Sequence, residues 1–88
     1  MSNFPSTTLN VHLELDARQL ACPMPLLKAR QAMRELSVGE LLHVMASDSG
    51  ARRDIPAWVG QSAHELVHQE EEHGVLHFWI RCHEEKQG

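Results

Sequence analysis

Long apolar runs are missing from this chain of 88 residues, and nothing in it approaches the roughly 18 consecutive apolar residues of a membrane helix. The opening "MSNFPSTTLN" has neither the basic start nor the apolar stretch of a secretory signal, so a cytoplasmic protein is expected. Cysteine is scarce: Cys22 and Cys82 are the only two, too few for a disulfide scaffold. In the cytosol both are reduced thiols, each a possible reagent or packing residue. There is no positive net charge; at −4 the chain is a poor match for a general nucleic-acid binder. Repeats, linkers and low-complexity segments are absent too. One domain over residues 1–88 is expected, with a core of about 9–82 and flexible ends. Such a length is near the size at which a single hydrophobic core becomes marginal, and it leaves room for a small site but not a deep pocket.

What is present is unevenly distributed. Six of the eight basic residues (Arg18, Lys28, Arg30, Arg34, Arg52, Arg53) lie between positions 18 and 53, against three acids there. The flanking segments are acidic, so any charge-steered encounter involves the segment that holds Cys22.

Periodicity gives the elements. "LNVHLELDA" alternates Leu9, Val11, Leu13 and Leu15 with polar residues, as a half-buried strand does. From Pro23 to Leu36 the period lengthens: Leu26, Ala29, Met33 and Leu36 make the stripe of an amphipathic helix, closed by Gly39. "ELLHVMAS" is apolar on both faces, as a central strand is. Asp48 or Ser49 is expected to cap a second helix over "ARRDIPAWVG", with Pro56 kinking it or dividing it into short pieces. "HELVHQEEE" and "GVLHFWIRC" form a hairpin turning at His73-Gly74, although Leu66 and Val67 compete for the inward face of its first strand. The order strand, helix, strand, helix, strand, strand, with right-handed crossovers, predicts an α/β two-layer sandwich: a mixed four-stranded sheet, both helices on one face, the other face open.

"ACPMP" marks the start of the first helix. Proline suits a first helical turn, because the N–H it lacks would be unpaired there; Pro23 and Pro25 thus fit the first and third positions, with Cys22 as cap. A thiol so placed faces backbone N–H groups and the positive helix end, which favour the thiolate and equally a persulfide anion. Arg18 and Lys28 are candidates to add to that field. The plainer reading is a small buried hydrophobe preceding a helix. The doubled proline and neighbouring bases favour the reactive one.

The stretches "LDARQLACPMPLLKAR", "VGELLHVMASD" and "ARRDIPAWVGQSAHELV" resemble the TusA/SirA-like sulfur carrier family over about residues 9 to 82. Cys-Pro-x-Pro at the first helix is that family's signature, supported by the downstream "RDIP". The resemblance implies a two-layer α/β sandwich like the C-terminal domain of bacterial translation initiation factor three. It also implies a carrier that takes a sulfane sulfur on Cys22 as a persulfide and passes it on. A sulfur donor such as a cysteine desulfurase or rhodanese and a downstream acceptor protein are implied as partners; tRNA thiolation, molybdenum-cofactor assembly, sulfur oxidation and selenium metabolism are the family's destinations. Three departures stand out: Gln19 where glycine is common, Cys82 outside the motif, and seven histidines that the motif does not explain.

No cofactor or metal is expected. His64 and His68, or His73 and His77, are four apart, but along a strand that separation is about 13 Å, too long for one ion. His12, His43, His77, Met45 and Trp79 fall on the face opposite the helices, where they form either an exposed contact patch or a cover in which Trp79 packs over sheet edges or Arg81. Cys82 alternates with Phe78 and Ile80 and is expected in the core. Arg18, Lys28, Arg52 and Arg53 are candidate docking or electrostatic residues, suited to a transient protein encounter and not to stable nucleic-acid binding. Asp48 reads as a helix cap and Asp54 as a partner of Arg52 or Arg53, without catalytic roles. Two other functional readings stand beside the carrier: a regulatory or RNA-associated binding module, and a redox switch joining Cys22 to Cys82.

Overall fold

The computed structural model describes residues 10–83. The termini expected to be flexible, and the expected strand start at Leu9, lie outside the described residues. The elements are β1 (Leu13–Ala17), α1 (Met24–Met33), β2 (Leu41–Ala46), α2 (Ala51–Gln61), β3 (Glu65–Glu72) and β4 (Val75–Arg81). The sheet order is β1-β2-β4-β3, with β1 parallel to β2 and β4 antiparallel to both its neighbours. This is the mixed sheet expected from the element order.

The core lies between helices and sheet. In the central pair, Leu42, Val44 and Ala46 stand opposite Ile80, Phe78 and Leu76, and all six are buried. Onto them α1 lays Ala29, Met33 and, just beyond its end, Leu36, while α2 contributes Ala51, Ile55 and Val59. That four-residue spacing on α2 explains why Pro56 does not divide the helix into short pieces, one of the two outcomes expected: α2 is continuous from Ala51 to Gln61. An interior proline costs about 3 kcal/mol in an isolated helix, but burying Ile55 and Val59 on either side of it offsets that cost.

The competition between Leu66 and Val67 is settled by a register shift. Leu66 pairs with Ile80 and His68 with Trp79, so Val67 is an extra residue and Leu66 packs on the core. At the hairpin, His73 and Gly74 both have positive φ (54° and 78°), as a tight two-residue turn requires. Gly39 at φ 91° ends the α1 connection, its N–H donating to the Cys82 carbonyl at 2.7 Å. Cys82 is in the core as expected, its thiol donating to the Leu36 carbonyl at 3.6 Å.

Of the two readings of the face opposite the helices, the exposed patch does not hold and the cover does, with histidine rings as its packing. Trp79, His43 and His77 are 2%, 7% and 6% exposed. The reason is ring packing: His43 lies flat on Trp79 at 4.6 Å, His77 stacks on both, and His68 leans on Trp79 at 5.2 Å. His43 Nε2 and His77 Nδ1 are 2.9 Å apart, and His43 Nδ1 is 3.3 Å from Glu14 Oε2. The two contacts are compatible with His77 Nδ1–H donating to His43 Nε2 while His43 Nδ1–H donates to the Glu14 carboxylate.

Burial holds the His77 pKa below its usual range; repulsion from His43 and Arg18 pushes the same way, against Glu72 and Glu70. A depressed histidine binds its proton more readily when unfolded, so the stability it contributes is complete above about 6.5 and declines as pH falls below that value. The melting temperature should therefore drop between about pH 7.5 and about 5.5, and His77→Gln should flatten the drop. A slope unchanged in the variant would remove His77 from the account.

Candidate functional site

The chain leaves β1 at Ala17, turns at Arg18 and Gln19, and enters α1 through Cys22 and Pro23. Pro23 is the N-cap and Pro25 sits inside the first turn, so the helix begins one residue later than expected and Cys22 precedes the cap. The Cys22-Pro23 peptide bond is cis. Pro25 is buried, while Cys22 is exposed.

A second helix start converges on the same place. Gly50, the N-cap of α2, lies so close that a Cβ on it would be 3.2 Å from the Cys22 Cβ and 3.3 Å from Sγ. Asp48 precedes that cap and accepts the Gly50 N–H at 3.0 Å, but neither it nor Ser49 is the expected cap: Gly50 is, and no side chain caps the helix. Asp54, in the first turn of α2, accepts the Cys22 thiol hydrogen at 2.9 Å. Cys22, Pro23, Pro25, Leu26, Ala51 and Asp54 line a shallow depression of about 140 Å³, open to solvent.

The electrostatics differ from expectation. The Cys22 thiol is pushed up, not down, from its ordinary pKa: the hydrogen bond to Asp54 comes first, then loss of water, then the charges of Asp54 and Asp48, with Arg53 opposing. Each helix end offers about half a positive charge, whereas each carboxylate carries a whole negative one close to the sulfur. The carboxylates win, and the resting group is a thiol.

The predicted basic residues do not gather around the sulfur. Arg18 makes a two-pronged pair with Asp16 at 2.8 Å, which holds the Asp16 pKa at about 2. Its carbonyl accepts the Ser47 hydroxyl. Arg52 reaches across to Glu71 at 2.8 Å. Lys28 is exposed on α1. Arg53, exposed and 3.8 Å from Asp54 Oδ1, is the base whose charge acts on Cys22.

Reading the sequence placed Asp48 at a helix cap and Asp54 beside Arg52 or Arg53, and missed that both, with Gly50, stand at Cys22. An acid in a helix's first turn signals only its own helix dipole, and nothing local aims Asp54 at a cysteine 32 positions away. Gly50 carries a prediction. Gly50→Val sets its Cβ 2.8 Å from Asp48 Oδ2, which must shift, and crowds Cys22 Cβ and Sγ, so it should slow alkylation of Cys22 by iodoacetamide several-fold, with circular dichroism unchanged. An unchanged rate would show that the sulfur is approached from elsewhere.

Cys82 is not a partner for Cys22. It touches Leu36, beyond the far end of α1, and the ten residues of that helix set the two sulfurs about 15 Å apart or more. A disulfide needs Cα atoms within about 7 Å, so the redox-switch reading through an internal bridge fails in the folded chain. Among the described residues no three His, Cys, Asp or Glu side chains converge as metal ligands would, and no helix is long and apolar enough to cross a membrane.

Comparison with known proteins agrees with this architecture. A SirA-like protein of Desulfitobacterium hafniense has a crystal structure that superposes with a TM-score of 0.70, covering 82% of this chain and 99% of that one, at 23% identity. That likeness concerns the fold. Sulfur carrier protein TusA of Pseudomonas syringae is 44% identical over 77 residues, 88% of this chain and 92% of its own length. The protein of the same name from Allochromatium vinosum is 43% identical over 68 residues, 77% of this chain and 90% of its own. Residues 13–82, from the first strand to the buried cysteine, match the family described as sulfurtransferase TusA, and the chain belongs to that family.

Proposed function

We propose that the protein is a sulfur carrier: Cys22 accepts a sulfane sulfur as a persulfide and relays it to an acceptor protein. The observation that carries this reading is the exposed Cys22 thiol in an open depression where two helix N-termini meet. An open site lets the cysteine of another protein reach the sulfur, whereas a depression of about 140 Å³ is too shallow to enclose a small substrate. Specificity then comes from docking. Arg53 is exposed next to Asp54, and Lys28 is exposed on α1; with Arg18 and Arg52, which pair with Asp16 and Glu71, they are the candidates for steering a transient partner by charge.

Relatives named sulfur carrier support the reading. The donor is of the cysteine desulfurase or rhodanese class, and the acceptor serves tRNA thiolation, molybdenum-cofactor assembly or sulfur metabolism. The protein works as a reagent turned over by its partners, with no cofactor. A free thiol requires a reducing compartment, which fits the cytoplasm. Asp48 and Asp54 also fit a carrier more than a store, since negative charge at the sulfur disfavours a long-lived persulfide anion. The test is intact mass after incubation of the reduced protein with a cysteine desulfurase and cysteine. Gain of one sulfur atom, reversed by reductant, is expected. No gain from this donor, nor from a rhodanese with thiosulfate, would turn the reading to a binding module, which RNA and partner pull-downs would then examine.

A further inference from the structure

The hydrogen bond between Cys22 and Asp54 is more than an obstacle to ionisation. From its geometry we infer that Asp54 is the proton-transfer residue of the relay, a base as sulfur arrives at Cys22 and an acid as it leaves. This rests on the carrier reading above.

The carboxylate is held for that task. Its Oδ1 faces Arg53 at 3.8 Å while Oδ2 meets the thiol at 2.9 Å, so one oxygen is steadied and the other aimed at the reacting atom. Its side chain is 26% exposed and lines the same depression as the sulfur, so a group that enters the depression finds thiol and carboxylate together. No histidine lines that depression. Asp48, the other carboxylate near the sulfur, is occupied by the Gly50 N–H.

The chemistry needs such a group. A thiol held protonated is a poor nucleophile, and its sulfur must lose the proton as it attacks. On loading, the Cys22 proton passes to Asp54 while Sγ bonds to the outer sulfur of a donor persulfide, R–S–SH. The donor's S–S bond breaks, its electron pair stays on the donor sulfur, and R–S⁻ departs. Cys22 is oxidised to the persulfide as the donor is reduced to a thiolate, so no further oxidant enters. On unloading, an acceptor thiolate takes the outer sulfur, and the protonated Asp54 returns its proton to the departing Cys22 sulfur. A thiol that holds its proton tightly leaves poorly as an anion, so this second proton transfer matters as much as the first.

Asp54→Asn separates proton transfer from simple suppression of the thiolate. Two rates are measured across the neutral range, in a Cys82→Ser background so that only Cys22 reports: alkylation by iodoacetamide, which needs only thiolate, and sulfur uptake from a cysteine desulfurase with cysteine. Removing the charge should raise alkylation at about pH 7 several-fold, while uptake falls by about tenfold or more and its pH profile comes to follow the alkylation profile. Asp54→Glu, which restores a carboxylate on a longer arm, should recover part of the uptake. Uptake that rises together with alkylation, or that stays unchanged, would overturn the role of Asp54, as would a failure of Asp54→Glu to recover any. No uptake by the unaltered protein would instead overturn the carrier reading, and the inference with it.

Discussion

Cys22→Ser should abolish sulfur uptake and leave the fold untouched, the largest functional change expected of any single substitution in this chain. The serine hydroxyl keeps the shape of the thiol and the same acceptor, Asp54 Oδ2, at a position open to water. Stability should thus stay within about 0.5 kcal/mol. A hydroxyl is not ionised at neutral pH and makes no persulfide, so no sulfur is gained. Cys82→Ser inverts the pattern. Cys82 is 1% exposed, and a hydroxyl there exchanges apolar contact for a hydrogen bond to the Leu36 carbonyl, at a cost of about 1–2 kcal/mol. Uptake should be unaltered, because the two sulfurs lie at opposite ends of α1. Intact mass and thermal melting of both variants read the four outcomes. Sulfur found on Cys22→Ser would move the carrier site to Cys82, which the burial of that thiol argues against.

Much of the site's framework was legible because it is local. The period of Leu26, Ala29, Met33 and Leu36, the prolines after Cys22, and the turn at His73-Gly74 each work through neighbours in sequence; the stripe and the turn appear where expected, and the helix start is off by one residue. The thiol's protonation was not legible. It depends on Asp54, brought to Cys22 by the packing of α2 against α1, and a carboxylate in contact outweighs a helix end that any local reading would favour. Pro56 failed as a punctuation mark for a related reason: tertiary burial of Ile55 and Val59 overrides the local penalty. The bulge at Val67 shows a third limit, since strict alternation cannot represent an extra residue.

The histidine-rich face taught the opposite lesson, that alternation places a residue on a face without saying whether that face is wet. His43 and Trp79 are register partners on β2 and β4, close enough for their rings to stack within 2° of parallel. With His68 and His77 against the same indole, Trp79 is the hub of a second core on the side away from the site. Trp79→Ala should therefore be the most destabilising substitution described, by about 3–5 kcal/mol, the usual cost of emptying a buried large aromatic position. In a domain this small that lowers the melting temperature by more than about 10 °C. Removing the indole also lets water reach His43 and His77, so the pH dependence tied to His77 burial should weaken in the same variant. At a temperature where the variant is still folded, sulfur uptake per folded molecule should match the unaltered protein, because Cys22 stands on the helical side of the sheet. A loss of uptake beyond the loss of folded protein would mean that the two sides of the sheet are coupled.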